Sequence, residues 1–269
     1  MAPRNFTDEQ EAEIAQRYRN GESAKSIARS FGLKHHISIT SALARQNTPI
    51  RSAAEQSRKY TFRPDVFTVI DEPTAYWLGF MYADGCITKK SLLISLSSRD
   101  KSHLDRFCEF MGTNYVVGVG LNRANGKDYE RATFVITDEG LTSRLKSLGW
   151  KQAQKSWDAI PDDMKWHWIR GFFDGDGSAD LHGAISFCKD QEVVGIVSKF
   201  IGDIIDFYPT QSKHKTAPVW YIHYSARRTR KIAELMYGGA TIWLARKRDR
   251  IESWSEPLPI PEIRRPDDI

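Results

Sequence analysis

The 269-residue sequence predicts an α+β protein: two related halves, each helix–strands–helix–strands–helix (αββαββα), behind a small all-α module. Three observations carry this. First, WLGFMYADG at Trp77–Gly85 returns as WIRGFFDGDG at Trp168–Gly177, which sets Asp84 and Asp176 92 positions apart. Second, the surroundings repeat too: Arg99–Gly112 matches Lys189–Gly202 at an offset of 90, and FVIT at Phe134 matches YIHY at Tyr221 at 87. Third, the first 50 residues read as three short helices. A period near 90 is too long for a solenoid. It fits a pseudo-two-fold pair of subdomains, placed at 71–160 and 161–256.

In the N-terminal module, Thr7 can cap a helix running to Asn20, with Gln10 completing a capping box and Ile14 and Tyr18 forming an apolar stripe. Ser23–Ser30 makes a second helix with Ile27 and Ala28 inward. A third helix runs from about His35 to Gln46 on Ile39 and Leu43. Residues 51–70 read as a basic linker, in which Arg51, Arg58, Lys59 and Arg63 form an arm able to track phosphates. In the first half, Leu92–Ser97 reads as a strand and Lys101–Met111 as a helix closed by Gly112. Tyr115–Leu121 and Arg131–Thr137 read as strands around Asn125-Gly126, and Leu141–Leu148 as a helix ended by Gly149. The second half follows the same order. Residues 257–269 are a Pro-rich tail.

Composition narrows the function. A hydrophobic content of 41% is enough for a sizeable core. Net charge is +5 and pI about 9.0, but the charge is uneven: Arg17–Arg63 holds ten Lys/Arg against Glu22 and Glu55. That favours an acidic partner such as nucleic acid. Cys86, Cys108 and Cys188 are too scattered for a disulfide framework or a zinc site, and His35-His36 lack ligand partners. No membrane-length apolar run or apolar signal core is visible. A soluble intracellular protein is expected, in the cytoplasm or nucleoid of a bacterial or phage host.

Three short helices around a Gly-containing turn describe a helix-turn-helix module. GESAKSIARSFG at Gly21–Gly32 resembles the corresponding string of bacterial regulators and recombinases. That resemblance implies that the third helix enters the major groove with exposed His36, Ser38, Thr40, Ser41 and Arg45.

The duplicated acid motif has its own physical logic. Gly79 and Ala83, like Gly171 and Gly175, stand at i, i+4 and clear one helix face for close packing. Large residues beside them (Leu78, Phe80, Met81; Ile169, Phe172, Phe173) would bury against each half. Packing through the small faces would bring Asp84 and Asp176 together at two helix C-termini, where the dipole and the neighbouring carboxylate both oppose ionisation. Such a pair calls for a cation, and an open oxygen-donor site suits Mg²⁺, with Mn²⁺ as a substitute.

The two motifs, with ISLSSRD, ISFCKD and WLARKR around them, resemble those of the LAGLIDADG homing endonucleases over roughly Asp71–Trp254. The resemblance implies a DNA-binding β-saddle with the motif helices at its centre. It implies metal binding at Asp84 and Asp176, with Gly85 and Gly177 beside them. Tyr82 replaces the earlier acid of the first motif, whereas Asp174 keeps it, which assigns Asp174 to capping or pairing. Basic or polar helpers would be Ser98 and Arg99 in the first half and Cys188 and Lys189 in the second; Arg99 and Lys189 are the catalytic candidates. Lys155 and Lys247 are further basic candidates for DNA contact. The expected protein is a monomeric endonuclease cutting a long, asymmetric double-stranded DNA site. The rival expectations are a DNA-binding regulator without nuclease activity and an intron RNA maturase.

Overall fold

Thr7 starts the first helix as its sequence requires. Its hydroxyl accepts the Gln10 N–H, and the Gln10 side chain accepts the Thr7 N–H, closing a capping box on α1 (Asp8–Arg19). The Ser23 hydroxyl caps α2 (Ala24–Ser30) by accepting the Ser26 N–H, and α3 spans Ile37–Arg45. Ile14, Tyr18, Ile27, Ala28, Ile39 and Leu43 meet in one small core, the stripe each helix was expected to bury.

The computed structural model describes residues 5–51, 60–124, 126–225 and 227–255, in two units divided between Lys59 and Tyr60. Arg58, Lys59 and the tail at 257–269 lie outside the described residues.

In the second unit the chain runs α4 (Glu72–Asp84), β1 (Gly85–Ile87), β2 (Ser91–Ser97), α5 (Lys101–Met111), β3 (Gly118–Ala124), β4 (Lys127–Thr137), α6 (Glu139–Ser147) and α7 (Ala153–Asp158). It then repeats as α8 (Lys165–Asp176), β5 (Ser178–Ala179), β6 (Ile185–Lys189), α9 (Gln191–Ile205), β7 (Ser212–Lys213), β8 (Trp220–Tyr224), α10 (Arg227–Tyr237) and α11 (Ala245–Glu252). The two antiparallel sheets have matching orders, β1-β2-β4-β3 and β5-β6-β8-β7. The αββαββα duplication is therefore present in the fold. Among the described residues no helix is long and apolar enough to cross a membrane.

Strand alternation buries one face of each sheet. Leu92, Ile94 and Leu96 pair across β4 with Ile136, Phe134 and Ala132, and all six are buried. On the second sheet Phe187 pairs with Ile222 and Ile185 with Tyr224. This corrects the repeat offset of 87. Phe134 is fully buried whereas Tyr221 is 39% exposed, and a one-residue slip exchanges the faces of a strand. Counted from the motif helices, Ile222 answers Phe134. The β3–β4 hairpin also differs from expectation: β3 starts later, at Gly118, and β4 starts earlier, at Lys127, so the hairpin reaches farther toward its turn. The segment Lys127–Glu130 is polar and exposed, so it carries no hydrophobic alternation to announce a strand.

Candidate active site at the helix seam

The motif helices α4 and α8 make the most extensive contact of any two elements. Their glycines leave room for nothing else. A Cβ on Gly79 would lie 2.0 Å from the Trp168 carbonyl oxygen, and one on Gly171 would lie 1.9 Å from that of Tyr76. A Cβ on Gly175 would strike the Ala83 methyl at 2.3 Å and stand 3.5 Å from Asp84 Oδ2. The expected small faces therefore do pack on each other. The large residues beside them (Leu78, Phe80, Met81, Ile169, Phe172 and Phe173) are all buried.

Asp84 and Asp176 meet where the two helices end. Asp84 keeps access to solvent, yet enough protein surrounds it to raise its carboxyl above the ordinary aspartate range, with Asp176 adding to the effect. Lys247, Lys189 and Arg131 oppose that shift. Lys189, the last residue of β6, spans the seam. Its Nζ donates to the Asp176 carboxylate and, at 2.7 Å, to the Ala83 carbonyl of the other half. Cys188 Sγ lies 2.8 Å from the Asp176 carbonyl oxygen. A cavity of about 320 Å³ opens beside Asp176, Lys189 and Pro218.

Lys247 is not a surface contact. Only 5% exposed, it donates to the carbonyls of Phe173 (2.5 Å), Gly175 (3.2 Å) and Gly177 (2.6 Å), and burial brings its pKa down to about 8. It is a cationic C-cap for α8. Gly85 and Gly177 carry the chain from each helix into its first strand. A Cβ on either would come within 2.6 Å of a helix carbonyl, of Met81 or Phe173 respectively. Packing explains both glycines, and the Gly177 carbonyl is already engaged by Lys247.

Three of the expected helpers lie elsewhere. Arg99 is exposed in a short turn, Ser98–Asp100, and faces a different cleft with Arg106, Trp243 and Arg246. The first half inserts that turn between strand and helix, so Arg99 and Lys189 are not equivalent despite their sequence match. Ser98 donates to Glu130 at 3.1 Å. Lys155 is exposed on α7. Two unforeseen cations come closer. Lys151, in the turn before α7 with φ 56°, donates to the Tyr82 carbonyl at 3.0 Å, and its pKa is lowered by burial and then by Lys189. Arg131 on β4 donates to Ser95 Oγ (3.0 Å) and to the Ser95 carbonyl at 2.5 Å. The signal for Lys151 was only its place after Gly149-Trp150; Arg131 became visible through strand register.

Asp174 is structural, as its motif position implied. Fully buried, it accepts from the Tyr237 hydroxyl (2.6 Å), the Leu244 N–H (2.7 Å) and the Tyr76 hydroxyl (2.8 Å). Because Tyr76 gives its proton to Asp174, it must accept from His103 Nε2, 2.9 Å away, which fixes that histidine's tautomer. Arg170, one residue before Gly171 and also fully buried, binds the carbonyls of Ile242 and Met236 and the Glu72 carboxylate. These bonds tie the segment that leads into α11, the helix carrying Lys247, to the motif helices.

In the N-terminal unit the basic candidates are largely committed. Arg45 pairs at 2.6 Å with Glu11, which is fully buried. Arg51 stacks on Tyr18 with its guanidinium 4.2 Å from the ring centroid, and donates to the carbonyls of Gly21 and Glu22. Ser38, Thr40 and Ser41 are half-buried rather than exposed. Ser38 accepts from Asn5, and the other two hydroxyls bond back to the Ile37 carbonyl. His36 is exposed, and Ile37 beside it is 69% exposed.

The acids of the seam, Asp84 and Asp176, are oxygen donors. Among the described residues no group of three or more His, Cys, Asp or Glu could hold a metal. Two carboxylates nevertheless fit Mg²⁺, which commonly takes one or two carboxylates and completes its shell with water and substrate phosphates.

No family profile and no curated protein matches the sequence. Among solved structures the chain is similar to variants of the homing endonuclease I-DmoI, with 14% identity over 61% of this chain and 94% of that one and a TM-score of 0.46. It is similar to the homing endonuclease I-WcaI bound to its DNA recognition sequence (10% identity, 66% and 84% covered, TM-score 0.47). It is also similar to the N-terminal LAGLIDADG domain of DUF199/WhiA (15% identity, 62% and 81% covered, TM-score 0.43). At such identities the likeness concerns architecture and says nothing of chemistry.

Proposed function

We propose that this protein is a divalent-metal-dependent, site-specific DNA endonuclease acting as a monomer. The observation that carries the reading is the meeting of Asp84 and Asp176 at the ends of two helices packed through glycine, ringed by Lys151, Lys189 and Lys247. Two carboxylates held at the negative ends of two helix dipoles oppose folding unless a cation joins them, so the arrangement has a use beyond stability. A bound Mg²⁺ would act as a Lewis acid toward a scissile phosphate and acidify a bound water. Asp84 and Asp176 would hold the ion. The Lys189 and Lys151 ammonium groups would offset charge gathering on the phosphoryl oxygens. Lys247, Asp174 and Arg170 would keep the helix ends in place. The basic helix-turn-helix unit would add a second DNA contact and raise affinity through effective concentration.

One observation favours a second reading. Lys189 neutralises Asp176 from within the protein, as a seam would that binds DNA without cutting it. Incubating the full chain with a randomised duplex library in Mg²⁺ or Mn²⁺ separates the two. Double-strand cleavage at one rare site, lost in Asp84→Asn and Asp176→Asn while binding persists, supports the endonuclease. Specific binding without cleavage in either metal refutes it and leaves a DNA-binding regulator.

A further inference from the structure

The two acids differ in their surroundings. Asp176 has a counter-charge built in: Lys189 on the adjacent strand donates to its carboxylate and is fixed by a second bond to the Ala83 carbonyl. Asp84 has no such partner; among the described residues no hydrogen bond or ion pair reaches its carboxylate. The nearby cations are committed to other atoms: Lys247 to three carbonyls of α8 and its cap, Lys151 to the Tyr82 carbonyl, and Arg131 to Ser95. The helix ends differ likewise. The last carbonyls of α8 are covered by Lys247, whereas those of α4 take one bond each from Lys151 and Lys189.

We infer that the halves are unequal metal sites: Asp84 is the primary cation ligand of the DNA-free protein, and Asp176 contributes only as Lys189 releases it. The inference rests on the metal-dependent reading above. The physical reason is competition for one carboxylate. An ammonium and a divalent cation cannot both take the same lone pairs fully, so affinity at Asp176 is reduced by the strength of its ion pair, whereas Asp84 carries no competing bond. The two strands of DNA would then be cut at unequal rates, with a nicked intermediate accumulating.

The test is Mn²⁺ binding to the full chain without DNA, followed by electron paramagnetic resonance, beside thermal unfolding with and without Mn²⁺. Asp84→Asn should weaken Mn²⁺ binding by on the order of tenfold or more, and Asp176→Asn by roughly threefold or less. Lys189→Met should tighten it and enlarge the rise in Tm that Mn²⁺ produces, because freeing Asp176 also restores the repulsion that metal relieves. Equal losses in the two Asn variants, no response to Lys189→Met, or no Mn²⁺ binding by the wild type would overturn the inference. Cleavage of the selected DNA site with equal losses sinks the inequality and leaves the nuclease. Unequal losses without any cleavage do the reverse.

Discussion

A methyl group on Gly171 would lie 1.9 Å from the Tyr76 carbonyl oxygen, and backbone cannot rotate out of the way as a side chain can. Gly171→Ala must therefore push α8 off α4, at a cost of about 3 kcal/mol in urea unfolding, and separate the two acids. His103 makes a prediction of a different kind. It is 3% exposed, and burial, with Arg106 and Arg246 adding to it, takes its pKa from 6.5 down to about 3. Between those values the unfolded chain binds a proton that the folded chain refuses. Its contribution to stability is complete above about pH 6.5 and is lost as pH falls toward 3. The urea midpoint should drop between pH 7 and 4, and His103→Gln, which cannot take up the proton, should drop less.

The third helix of the N-terminal unit shows how an element can redirect its charges. Arg45 sits on α3 but serves the buried carboxylate of Glu11, and Arg51 serves Tyr18 and the turn between α1 and α2. Arg45→Ala should destabilise this unit by roughly 2 kcal/mol, read from its own unfolding transition, because the buried Glu11 carboxylate loses its counter-charge. The salt dependence of DNA binding should keep the same slope, since no phosphate contact is removed. A slope lowered by about one would return Arg45 to the DNA interface.

Across the whole molecule, the division between Lys59 and Tyr60 separates two hydrophobic cores. The core of the second unit runs through both halves and includes Val66 and Phe67, so a chain starting at Tyr60 keeps all of it. Such a truncation should fold and still cut its site at saturating concentration. Its Kd should rise on the order of 10²-fold, because the second binding module no longer raises the local concentration. Loss of cleavage at saturation would mean that the N-terminal unit takes part in catalysis.

The duplication, the helix caps and the glycine faces are legible in the residues alone, because each is written in local spacing: Thr7 with Gln10, Gly79 with Ala83, Gly171 with Gly175. The residues also mark Asp84 and Asp176 as a pair and set Asp174 apart from them. Which cations attend that pair depends on the folded chain. Lys151 and Arg131 reach the seam from a turn and from a strand distant in sequence, while Arg99 is carried away by one inserted turn. Lys247, expected to contact DNA, is buried beneath a helix end. Backbone periodicity is local and can be read from neighbours in the chain, whereas a long, flexible cationic side chain takes its role from whichever carboxylate or carbonyl folding brings within reach.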